Sequence, residues 1–473
     1  MSTIYFDITD LVHFVRRNSR ITGIQRVELN ILREITTQQS NTKVFGVLRS
    51  PDAKYFEVNL EFLRSMGTFV PETFIRHTST DLSARWPDKM VLRHHLDSYK
   101  NKKFLRIIQK IWIYTQALLH PNALVRKGLL PNRETAQNTI HARISAHDVY
   151  VMLGTAWERP SSLDFARKHR GSGGRVVQMI HDIVPVVRPE FHVPKVSDAF
   201  SRWLKSTSEI TTLYLCVSKH TGADLRRYLN DLNREALIAI TPLAHEFLGK
   251  SRGVDADLPE TASLTSKALR PRRFALCVGS IEHRKNGAAL IRAWSAAIEQ
   301  QASEVEDIKL VFVGKRSWLT EAFERELAAA NLKRSSIVVL ESCTDDELSW
   351  LYCNAMLTVF PSLYEGWGLP VGESLWFHTP CLASSSSSIP EVGGDLVRYF
   401  CPDSIKDINR ALTYALRNPS ELEEQRTAIA QSNLRRWSDV ARDVYSNLVD
   451  HINAPVPAYA RSPKKSTPIK ATR

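Results

Sequence analysis

Cysteine is scarce in this chain. Six are scattered over 473 residues, with no C-x-x-C pair. That excludes a disulfide framework and fits a reducing cytoplasm. No apolar run reaches the ~18 residues of a spanning helix. The opening MSTIYFDITD has neither the basic nor the apolar region of a signal peptide. No aromatic–basic string of the RNP type occurs, so nucleic acid is not the expected partner. What is present is a globular composition, 43% hydrophobic and 24% charged. The length predicts two or three domains, each with its own core. A net charge of +13 asks for polyanionic ligands, with phosphate groups or an acidic lipid surface the candidates that remain.

The pattern along the chain alternates strand and helix. Residues 3–8 read as a strand. After a loop, Gly23 opens an amphipathic helix whose apolar positions are Val27, Leu29, Ile31, Leu32 and Ile35. Residues 41–49 form a second expected strand, and the stretch 52–75 has no clear period. Between 82 and 143 the chain turns basic and irregular and reads as an insertion. Strands are expected again at 148–153, 176–180, 212–218 and 239–243. A helix over 218–229 is capped by Ser218. Residues 249–270 have no apolar period and read as a linker. A second β/α series follows, with strands at 274–278, 309–313, 336–340 and 355–360. This alternation predicts parallel sheets in two doubly wound halves. The expected domains are 1–248, 271–432 and a helix over 433–453. A basic, Pro-rich tail over 454–473 is read as disordered.

The most informative stretch is 359–391, VFPSLYEGWGLPVGESLWFHTPCLASSSSSIPE. It places Glu365 in the loop after a buried strand. Pro370 belongs to the first turn of a helix, where its missing N–H costs nothing, and Glu373 is expected in that same first turn. Gly366 and Gly368 allow close approach of a ligand to the backbone. Free N–H groups at the helix start attract an anion. Upstream, His181-Asp182 ends a strand, where ligands bind in open α/β sheets. Gly279 and Ser280 make a turn after the strand at 274–278. Arg284 and Lys285 then stand at the loop-to-helix junction, expected exposed and suited to a diphosphate.

These strings together resemble the retaining family-four glycosyltransferases. That family carries PSLYEGFGLP, a second Glu, a TP and a PEV, and here the chain reads PSLYEGWGLPVGES, HTP and IPEVGGD. The family's G-T-x-E-P-R-K-N is GSIEHRKN here. HD followed by Pro, then PEF, recurs at 181–191, and Arg436-Trp437-Ser438 matches a terminal SW motif. The family usually has Gly where this chain has His378. The resemblance implies a GT-B fold, two Rossmann-like domains across a cleft, and a nucleotide-diphosphate sugar as donor. It makes His181 and Glu365 candidate catalytic residues. It assigns donor binding to Gly23, Ser280, Arg284, Lys285, Gly366, Gly368, Leu369, Pro370 and Glu373, the last through the nucleotide ribose. It implies retention of configuration and no cofactor. No metal is needed, and no D-x-D pair stands where one would bind. The serine run 384–388 falls in a loop near the nucleotide. EHRKN and TGIQRV look most like bacterial enzymes of surface-polysaccharide synthesis. That favours GDP-mannose, with rhamnosyl or glucosyl transfer as alternatives and a saccharide or polyprenyl-linked saccharide as acceptor. Two rivals are an epimerase of the same fold and a non-catalytic basic protein. The intact E-x7-E and RKN strings oppose both.

One segment lies outside the resemblance. Residues 99–119 predict a basic amphipathic helix. Phe104, Ile107, Ile108, Ile111, Trp112, Leu118 and Leu119 fall broadly on one side, with Lys102, Lys103, Arg106 and Lys110 on or beside the other. Either it packs its apolar side on the first domain, or it lies on an anionic membrane. The expected location is cytoplasmic, peripheral at the inner face of the cytoplasmic membrane.

Overall fold

The computed structural model describes residues 2–18, 21, 23–38, 42–49, 54–66, 69–78, 92, 96, 103–126, 144–155, 157, 163–253, 269–300, 308–333 and 336–455. Most of the expected linker, the tail beyond 455 and much of the 82–143 insertion lie outside them.

Among these residues one sheet holds β1 (Thr3–Asp7), β2 (Lys43–Arg49), β3 (Tyr55–Val58), β4 (Val149–Met152), β5 (Arg175–Ile180), β6 (Leu213–Cys216) and β7 (Leu237–Ile240). Their spatial order is β3-β2-β1-β4-β5-β6-β7, with only β3 antiparallel to its neighbour. A second, all-parallel sheet holds β8 (Phe274–Val278), β9 (Lys309–Val313), β10 (Ile337–Leu340), β11 (Leu357–Phe360), β12 (Cys381–Ser384) and β13 (Arg398–Phe400). Its order is β10-β9-β8-β11-β12-β13. Central strands such as β5 are buried along their whole length, because helices cover both faces. This is the GT-B architecture: two Rossmann-like α/β units facing one another.

In both sheets the chain order reverses beside the first strand, between β1 and β4 and between β8 and β11. Such switch points open a crevice at the strands' C-terminal ends. Asp10 and Gly154 follow β1 and β4. Arg284 and Glu365 follow β8 and β11.

Some elements differ from the sequence pattern. Between β1 and Gly23, where a loop was expected, Thr9–Val15 is helical, burying Leu11, Val12 and Val15. Ile8 leaves the strand because the Asp7 carboxylate accepts the Thr9 N–H at 2.9 Å and turns the chain into that helix. Seven residues are too few for a convincing helical period. The last strand of the first sheet runs Leu237–Ile240 rather than 239–243. It is an edge strand with Leu237 exposed, so burial does not mark its start. Glu373 lies in the second turn of its helix, not the first, because that helix begins at Leu369 with Gly368 as N-cap.

The helix Trp437–Asn453 returns to the first unit and packs against Ile24–Thr37. The Trp437 N–H donates to Glu246 at 2.9 Å, Thr212 and His451 pair at 2.7 Å, and Arg175 donates to the Ala454 carbonyl at 2.6 Å.

Candidate active site

The second sheet contributes the cations. After β8 the chain makes a short 3-10 turn, His283–Lys285, that presents Arg284 and Lys285 in succession. They are not the exposed pair expected: their side chains are 14% and 18% exposed. Both turn onto one carboxylate. Arg284 Nη1 donates to Glu365 Oε2 at 2.7 Å, and Lys285 Nζ to Glu365 Oε1 at 2.5 Å. Arg284 also donates to the Tyr364 carbonyl at 2.7 Å and, through Nη2, to Glu282 Oε1 at 2.8 Å. Burial alone would raise the Glu365 pKa. The adjoining Arg284 and Lys285 overcome that and hold it at about 2. Glu365 is therefore a carboxylate at any physiological pH.

The serine run fixes the loop that carries Glu365. The Glu365 N–H donates to Ser387 Oγ at 2.8 Å, Ser388 Oγ donates to the Glu365 carbonyl at 2.9 Å, and Ser386 Oγ to the Leu363 carbonyl at 2.7 Å. Gly366 has no room for a side chain. A Cβ there would stand 1.7 Å from the His181 carbonyl oxygen of the first unit. Gly368, at φ +115°, takes a conformation that a side chain would oppose.

The first sheet contributes His181, half-buried after β5. Its Nε2 lies 2.7 Å from the Leu153 carbonyl, so that nitrogen carries the proton. Burial lowers its pKa and keeps the imidazole neutral. Asp182 accepts the Val184 N–H at 3.1 Å and shapes the following turn. The cleft is bridged at several points. Tyr364 donates to Asp224 at 2.5 Å and meets His220 Nε2 at 2.8 Å. Glu391, from the PEV motif, accepts the N–H groups of Lys219 and His220 at 2.7 and 2.8 Å. It caps the start of helix Lys219–Asp231, where a negative charge is favoured.

Arg284, Lys285 and Glu365 are thus brought together, with His181 beside them across Gly366. Ser280 lies in the β8 turn, and Leu369 and Pro370 form the helix start. Glu373 has a different set of partners. Tyr352 donates to its Oε2 at 2.8 Å and Arg26 of the first unit to its Oε1 at 3.0 Å. Gly23, with φ +55°, is the N-cap of the helix that carries Arg26. Glu282, Tyr364, Ser387 and Arg26 went unassigned in the sequence. Each sits inside a string already recognised, IEHRKN, SLYEG, the serine run or TGIQRV.

No string marks the acidic group behind β1. Asp10 Oδ2 accepts the Thr155 N–H at 2.5 Å and its hydroxyl at 3.0 Å. Glu28 is fully buried, and neither of its carboxyl oxygens meets a hydrogen-bond donor. Its Oε2 and Asp10 Oδ2 both lie within 2.5 Å of where a Gly154 Cβ would stand. Burial, then the charges of Asp10 and Asp7, drive the Glu28 pKa well up. Burial lifts Asp7 to about 6.

This geometry has relatives. Residues 265–433 match the family described as "Glycosyl transferases group 1". That stretch resembles a group 1 glycosyltransferase domain. The domain holds both E-x7-E glutamates and both cations. Over 276 residues, 56% of the chain, the protein is 29% identical to the serotype-specific mannosyltransferase WbdA of Escherichia coli. The match spans only 32% of that relative's length. The O-antigen chain mannosyltransferase B of Escherichia coli is 26% identical over 267 residues, 68% of its length. Solved structures agree on the fold. Sucrose-phosphate synthase from Thermosynechococcus elongatus gives a TM-score of 0.57 at 15% identity, covering 96% of this chain and 100% of its own. The α,α-trehalose 6-phosphate synthase of Burkholderia multivorans gives 0.57 at 13%, covering 96% and 97%. Among the described residues, no helix is long and apolar enough to cross a membrane, and no cluster of three or more His, Cys, Asp or Glu is arranged for a metal ion.

Proposed function

We propose that this chain is a retaining hexosyltransferase that moves a mannosyl group from GDP-mannose to a saccharide or lipid-linked saccharide acceptor in surface-polysaccharide synthesis. One observation carries the reading: Arg284, Lys285 and Glu365 converge at the switch point of the second sheet, facing His181 at the C-terminal end of β5. Two cations at such a crevice suit a diphosphate. As the bond between the sugar carbon and the diphosphate breaks, the electron pair goes to the phosphate oxygen. Arg284 and Lys285 stabilise that developing charge, usually the largest electrostatic contribution in such sites. Glu365 keeps the cations in place and orients the sugar hydroxyls. The acceptor hydroxyl attacks from the face the leaving group departs, giving its proton to the departing phosphate. Neutral His181 lines that face, and Glu373 holds the ribose once its carboxylate exchanges Arg26 for the ligand. The mannosyl preference rests on the E. coli relatives, which are mannosyltransferases by name.

Incubating the purified protein with a panel of nucleotide sugars in EDTA tests this. GDP-mannose should release nucleotide fastest, and the new linkage should be α by its NMR coupling. A β linkage from the α donor, or a strict need for added metal, would overturn the retaining, metal-independent reading.

A further inference from the structure

A surface helix ordinarily turns its apolar stripe to the core. Helix Lys103–Leu119 does the reverse. Ile113 is fully buried and Ala117 nearly so. Four residues apart, they make a narrow seam against the core of the first sheet. The wider apolar face points away from the protein. Phe104, Ile107, Ile111, Trp112, Leu118 and Leu119 are all exposed, Phe104 at 75% and Ile111 at 61%. At 100° per residue these six span an arc of roughly 140°. Soluble monomers rarely leave a contiguous patch of this kind in water.

Charge selects what covers it. From 98 to 133 the sequence has eight Lys or Arg and no Asp or Glu. A second copy docked here about a two-fold axis would set one such cationic segment against another. An anionic bilayer meets both demands. The apolar arc enters the boundary between headgroups and acyl chains, and the long stem of Lys110, exposed beside that arc, carries its charge out to the phosphates. We propose that this helix lies in the plane of an anionic lipid surface, with the first sheet standing behind it. This docking does not depend on the glycosyl-transfer reading.

The test is co-sedimentation of the full chain with vesicles of phosphatidylglycerol and phosphatidylcholine, or of phosphatidylcholine alone, at low salt. Wild-type protein should bind the anionic vesicles at least about tenfold more tightly. Ile107→Asp with Ile111→Asp, both exposed, should lower that binding by a similar factor, with circular dichroism and donor turnover unchanged. Wild-type protein that stays in the supernatant, or a double variant that sediments like wild type, would overturn the proposal. So would a dimer in sedimentation velocity that the double variant dissociates, because the face would then belong to a second copy. Absent nucleotide-sugar turnover in the wild type would count against the proposed function and leave the vesicle result standing.

Discussion

Arg284 and Lys285 share one carboxylate but are not equivalent. Lys285 places a single charge on Glu365, whereas Arg284 spreads its fork over Glu365, the Tyr364 carbonyl and Glu282. Losing a charged hydrogen bond typically costs ~1.5–3 kcal/mol, so Lys285→Ala should slow transfer at least about tenfold. Arg284→Lys should be no better than Arg284→Ala, because an ammonium cannot serve both glutamates from one position. Wild-type rates in Lys285→Ala would remove the pair from the donor site. Arg284→Ala also leaves Glu282 and Glu365 short of a buried partner, so its loss of stability should be measured beside its loss of activity. A second prediction concerns Glu28. Its folded pKa stands above its unfolded value, so the folded state binds its proton more tightly. Stability is therefore fully present at acid pH and falls as pH rises from the unfolded value towards the folded one, by ~1.4 kcal/mol per pH unit. Asp7 acts in the same direction up to about pH 6. Glu28→Gln should lessen the loss of thermal stability between about pH 5 and about pH 8. Curves that run parallel to wild type would show that Glu28 does not carry that dependence.

At the scale of elements, the helix Leu369–Trp376 ends in an unusual way. His378 follows its C-cap at φ +54°, the left-handed conformation in which the related family has glycine. The helix end keeps its geometry. The His378 N–H still donates to the Leu375 carbonyl at 3.0 Å, and the Arg426 guanidinium donates to the His378 carbonyl at 2.9 Å. A non-glycine residue held there costs on the order of 1–3 kcal/mol. His378→Gly should raise the urea stability by ~1 kcal/mol, and an unchanged or lower midpoint would show that ring packing offsets the strain. Much at this scale was legible in the sequence. Continuous apolar runs such as VVQMI and FALCV mark central strands, and Ser218 marks a helix start that its side chain does cap. Thr9–Val15 was not legible, because a seven-residue helix gives periodicity too little length. The direction in which Lys103–Leu119 faces was not legible either. A wheel shows that a helix has an apolar side, not which side meets the protein.

The whole molecule was legible as two α/β halves, and the strings of the second half supplied the residues that converge there. The contacts between halves were not. Arg26 to Glu373, Tyr364 to Asp224 and Glu391 to the start of Lys219–Asp231 each join residues far apart in sequence, and no local spacing pairs them. The same holds for the acids behind β1, which become a group only when the fold buries them together. The crossover helix has a further consequence, for the order in which the molecule is made. Val440, Val444 and Leu448 are buried and belong to the same core cluster as Ile31 and Leu32 of the helix Ile24–Thr37. A ribosome that has just finished β7 has delivered every strand of the first sheet but not that cover. At typical synthesis rates the second half takes on the order of tens of seconds to follow. The nascent first half spends that time with an apolar flank open, and becomes fully protected only when the last helix leaves the exit tunnel.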